Sequence, residues 1–126
     1  MEDGMGTAAV GRTRPAWDNQ VVIIPNGVAQ QEEIAAAIAD IERGLGADVV
    51  RLRYNIGTNW SDEPAIYFRV VLTDQASKPK RLHKVASRIR SIIDEKLDPL
   101  NSWGLFPYIN FRSQAEQDML KEPAWE

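Results

Sequence analysis

The sequence predicts a two-layer α+β sandwich, a ferredoxin-like β-α-β-β-α-β chain whose antiparallel sheet carries two helices on one face and ends in a short C-terminal helix. Three observations predict it. Two runs of strict apolar–polar alternation flank the turn-forming segment GTNWSDEP, and amphipathic helical stretches stand before and after that pair. A β-branched run opens the set, and a third alternating run closes it.

Residues 1–19 are rich in Gly, Ala and Thr without periodicity and are read as a flexible arm. Residues 20–25 (QVVIIP), closed by Pro-Asn-Gly, read as a short strand ending in a turn. From residue 29 to 44, Ile34, Ile38 and Ile41, with Leu45 beyond, recur every three to four positions between acids. That spacing predicts an amphipathic helix stopped by Gly44 or Gly46. Alternation then puts Val50, Leu52, Tyr54 and Ile56 on one face of a strand and Val49, Arg51, Arg53 and Asn55 on the other. After the turn it repeats, with Ile66, Phe68, Val70 and Leu72 set against Tyr67, Arg69, Val71 and Thr73. The two strands form an antiparallel hairpin.

Ser77 and Pro79 start a second helix, whose apolar positions Leu82, Val85, Ile89, Ile92, Ile93 and Leu97 keep helical spacing until Pro99. Residues 105–112 alternate again, with Ile109 and Phe111 on the core side and Tyr108, Asn110 and Arg112 opposite; Pro107 argues for an edge position or a bulge. Ser113 and Glu116 have capping-box spacing, and Pro123 ends the short helix they begin. The division is thus an arm over residues 1–19, an α+β domain over residues 20–112, and a short helix with its tail over residues 113–126.

Composition narrows function mainly by exclusion. With 126 residues, 44% hydrophobic and 26% charged, the chain has the make-up of one ordinary folded domain. The absence of cysteine rules out disulfides, thiolate metal sites and a cysteine nucleophile. No apolar run approaches the roughly 20 residues of a membrane span, and the N-terminus lacks the basic start and apolar run of a secretory signal, so a cytoplasmic location is expected. G-x-S-x-G, Walker-type and G-x-G-x-x-G patterns are absent. His83 stands alone among Lys80, Arg81 and Lys84 and reads as a surface residue. Asp94 with Asp98, and Asp62 with Glu63, offer oxygen ligands of a kind common on solvated surfaces, so no metal or cofactor is expected.

Ile56-Gly57-Thr58, a loop, Ser61-Asp62-Glu63 and the next strand partly resemble a minimal nucleotidyltransferase, whose pattern is strand, Gly-Ser, loop, Asp-x-Asp. Thr58 stands at the serine and Pro64 at the second acid. The resemblance therefore implies a relative lacking the paired carboxylates that hold magnesium, a binding subunit rather than an active transferase.

The sheet face opposite the helices carries the stronger signal. Arg51, Arg53, Arg69 and Arg112 are interleaved there with Tyr67, Tyr108 and Asn110, a composition suited to protein interfaces and also to single-stranded RNA or DNA. An RNP1 pattern is absent and net charge is −3, which favours a protein partner or self-association over nucleic acid. The alternative cover for this face is the chain's own acidic tail, with Trp125 docking and Glu116 or Asp118 pairing with the arginines. Residues 78–90, with six Lys or Arg and no acid, form a second charged region that could attract either an acidic partner or that tail. The expectation is a non-catalytic binding module acting through Arg51, Arg53, Tyr67, Arg69, Tyr108, Arg112 and Trp125, with a small nucleic-acid-binding domain as the alternative.

Overall fold

The computed structural model describes residues 30–126. The arm and the strand expected over residues 20–25 lie outside the described residues. Helix α1, Gln31–Arg43, buries Ile34, Ile38 and Ile41 along one face; Glu32 and Glu33 lie in its first turn and Arg43 in its last, each on the side its helix dipole favours. Gly46, at φ 86°, then turns the chain through a left-handed conformation.

Strands β1 (Val49–Thr58) and β2 (Pro64–Leu72) pair antiparallel, with Arg53 opposite Arg69 and Ile56 opposite Ile66. Helix α2, Pro79–Lys96, begins with a proline in its first turn and buries Val85, Ile89 and Ile93. A short helix α3, Pro99–Trp103, leads through Gly104 (φ 68°) into β3, Phe106–Ser113. Helix α4, Gln114–Leu120, and a 3-10 turn over Pro123–Trp125 complete the chain. One apolar cluster joins Ile34, Ile38 and Ile41 of α1, Val85, Ile89 and Ile93 of α2, and Leu52, Ile66, Phe68, Val70 and Leu72 of the sheet.

The sheet differs from the ferredoxin-like expectation. Among the described residues it has three strands in the order β1-β2-β3 and is mixed, because β3 runs parallel to β2, with Tyr67 beside Tyr108 and Val71 beside Arg112. The helical connection sets the direction of β3, as it would in the ferredoxin-like order; what differs is that β3 pairs directly with β2. Helix α2 spans 18 residues and, with α3, returns the chain to start β3 in the direction of β2, as parallel neighbours require. β3 thereby takes the edge of β2 that the expected order left for the first strand. The register also slips within β1. A bulge between Val49 and Arg51 leaves Val50, placed on the core face by simple alternation, 41% exposed, while Val49 packs against the core. From Arg51 onward the alternation holds. Among the described residues, no helix is long and apolar enough to cross a membrane.

Candidate functional site

The strand register arranges the non-core face in rows. Arg51, Val71 and Arg112 form one row; Arg53, Arg69 and Asn110 the next; Asn55, Tyr67 and Tyr108 a third. The arginines and tyrosines singled out in the sequence are thus brought together on one surface, and Trp125 lies against it.

The chain's own tail covers the arginine rows. Arg69 donates through Nε to the carbonyl oxygen of Ala124 at 2.9 Å, Arg51 through Nη1 to that of Trp125 at 3.1 Å, and Arg53 through Nε to the backbone oxygen of Glu126 at 3.1 Å. Three arginines from two strands therefore hold the backbone of three consecutive residues. Arg112 holds the side chains. Its guanidinium lies 4.2 Å from the centroid of the Trp125 ring and 2.6 Å from a Glu122 carboxylate oxygen, and it donates to Gln117 Oε1 at 2.8 Å. With its side chain 15% exposed, Arg112 is the most enclosed guanidinium of this group for which an ion pair is formed.

Gln117, on α4, links these contacts. It is fully buried; its amide nitrogen donates to the carbonyl oxygen of Glu122 at 2.8 Å and also meets the Glu126 carboxylate. No sequence signal distinguishes this glutamine from its neighbours. The pairing of Glu116 or Asp118 with the arginines is not what forms. Glu116 serves the capping box with Ser113, Asp118 accepts from Gln114, and Glu122 takes the ion pair instead. Ala115 N–H donates to Asp74, which fixes the start of α4 beside the end of β2. Lys121, at φ 53°, then turns the chain back towards the sheet.

The docked face encloses Val71 and Gln117 completely, but the tail itself stays open to solvent. The 3-10 turn buries no residue completely, Arg53 remains exposed, and Met119 and Leu120 beside it are exposed. Ordering each backbone residue costs about 1–2 kcal/mol, and a hydrogen bond to a charged group returns about 1.5–3 kcal/mol, less where solvent screens it. Five ordered residues are set against these polar contacts, the Arg112–Trp125 stacking and the burial of Val71.

The tyrosine row is open by comparison. Tyr67 and Tyr108 stack on each other with centroids 5.2 Å apart and planes 19° apart. Because they occupy neighbouring strands, stacking stands the rings up from the sheet, so each spends one face on the other. The hydroxyls are used as well. Tyr67 donates to the Thr58 carbonyl at 2.6 Å, and Tyr108 accepts from Asn59 at 3.1 Å. Asn59 also accepts from the amides of Ser61 and Glu63, which shapes the hairpin tip, and leaves Trp60 93% exposed. Asp62 and Glu63 sit at this exposed tip, with Asp62 at φ 65°. Among the described residues no group of three or more His, Cys, Asp or Glu could hold a metal ion.

The basic stretch lies elsewhere. Arg81 and Arg88 of α2 pair with Asp48, at 3.0 and 3.7 Å, beside a cleft of about 450 Å³ that Lys80 and Lys84 also line. His83 is exposed on the same helix. Because α2 packs on the core side of the sheet, the basic stretch and the acidic tail serve opposite layers and do not meet in the way the charge layout suggested. Comparison with family models, with curated proteins and with solved structures finds no match to this chain.

Proposed function

We propose that this chain is a non-catalytic protein-binding module whose recognition surface is the arginine and tyrosine face of the sheet. The observation that carries the reading is the alignment of Arg51, Arg53 and Arg69, from two adjacent strands, on the backbone oxygens of a segment folded in a 3-10 turn. Guanidinium groups that hold main-chain oxygens recognise a peptide by its backbone. Arg112 adds the side-chain selectivity, one aromatic ring and one carboxylate.

Protein is favoured over single-stranded nucleic acid by the tyrosine geometry. Base stacking needs aromatic rings presented by their faces, and Tyr67 and Tyr108 are stacked on each other. The negative net charge argues the same way.

The test is capture from a lysate of the source cells with and without nuclease, using the native chain and the Arg53→Glu/Arg69→Glu double variant. The reading expects a nuclease-resistant protein that the native chain retains and the folded double variant loses. Retention by both chains, capture abolished by nuclease, or unfolding of the double variant, which would make the arginines structural supports of the tail, would contradict it.

A further inference from the structure

Resting on that reading, we infer that the tail occupies the recognition face as a stand-in for the partner, and that the partner presents an acidic peptide, turned as the tail's 3-10 segment is, in which a carboxylate precedes a tryptophan by three residues. The tail displays the chemistry in its own contacts. Glu122 and Trp125 are spaced so that both reach Arg112, while the intervening backbone presents the carbonyl oxygens of Ala124 and Trp125 to Arg69 and Arg51. Pro123 suits such a segment, since it has no amide hydrogen to satisfy and its fixed φ stiffens the chain. Nothing in these contacts requires the peptide to be attached to Leu120.

The hold is also one that a competitor can replace. No residue of the 3-10 turn is itself fully buried, and the docking begins from a non-glycine residue in the left-handed region, Lys121, a conformation that costs free energy. A tethered segment competes at an effective concentration on the order of millimolar, so a second copy's identical tail at micromolar concentration loses to it. A partner succeeds by adding contacts the tail does not make. The surface for them is adjacent: the Tyr67–Tyr108 row, exposed Asn110 and the exposed Trp60 at the hairpin tip. The occupant is therefore a partner segment of the Glu-x-x-Trp type that continues across the tyrosine row.

The probe is a fluorescein-labelled peptide of sequence KEPAWE, titrated by anisotropy into the full chain and into two full-length variants that release the tail by different routes. Trp125→Ala removes the ring from Arg112. Lys121→Pro leaves every contacting residue in place but cannot adopt the φ of 53° that returns the chain to the sheet. Both released chains should bind the peptide at least tenfold more tightly than the native chain, and the peptide KEPAAE at least tenfold more weakly than KEPAWE. Arg112→Ala, added to Lys121→Pro, should abolish the gain. Equal binding by native and released chains would overturn the inference, as would binding of polyuridylate but not peptide by the released chains. Failure of the peptide on both folded released chains, alongside lysate capture that still depends on Arg53 and Arg69, would remove the tail mimic and leave the binding module standing.

Discussion

The two faces of one sheet are held by different physics. On the core face, Phe68, Ile66, Val70 and Leu72 are buried under α1 and α2, and the stabilisation scales with apolar area removed from water. On the other face, where Val71 is also buried, arginines hold the backbone oxygens of Ala124, Trp125 and Glu126, of which Ala124 and Glu126 stay exposed. The first face cannot open without unfolding the chain. If it is the recognition surface proposed above, the second must open while the first stays closed.

That contrast can be broken at its strong end first. Phe68→Ala should cost about 3–5 kcal/mol in chemical denaturation, the range for truncating a large buried aromatic. A loss under about 1 kcal/mol would mean that the core face is not what holds the sheet. Gln117→Ala sits between the two regimes. It leaves Arg112 without an amide acceptor and the Glu122 carbonyl without its donor, so the expected loss is about 1–3 kcal/mol, with the Trp125 indole signal shifting towards that of a solvated ring. A variant as stable as the native chain, with its indole signal unchanged, would show that the buried amide does not organise the tail.

The same contrast explains what the sequence made legible. Apolar periodicity located the buried side of each helix and strand, down to Phe68 and Ile89, because burial of area repeats with the period of the element. Alternation also put Arg51, Arg53, Arg69 and Arg112 on a common face. It carried no information on which strand neighbours which, or in what direction. The parallel β2–β3 pairing depends on where α2 and α3 deliver the chain, and the bulge at Val50 on a one-residue slip that alternation conceals. The tail contact was legible only as an acidic, tryptophan-bearing segment. Three of its acceptors are backbone oxygens, which every residue possesses, so no residue type announces them. The acid was misassigned for a related reason: Glu116 is committed to Ser113 by the capping box, and that left Glu122 as the carboxylate in reach of Arg112.

Native-state hydrogen exchange at increasing denaturant tests the difference between the faces most directly. The amides of β2 and α2 should open only with global unfolding and share its full denaturant dependence. The amides of Trp125 and Glu126, bonded to the carbonyls of Glu122 and Pro123, should exchange through a local opening that denaturant scarcely affects. If the tail amides instead show the opening energy and denaturant slope of β2, the tail is part of the cooperative core and the arginine face is not a displaceable recognition surface.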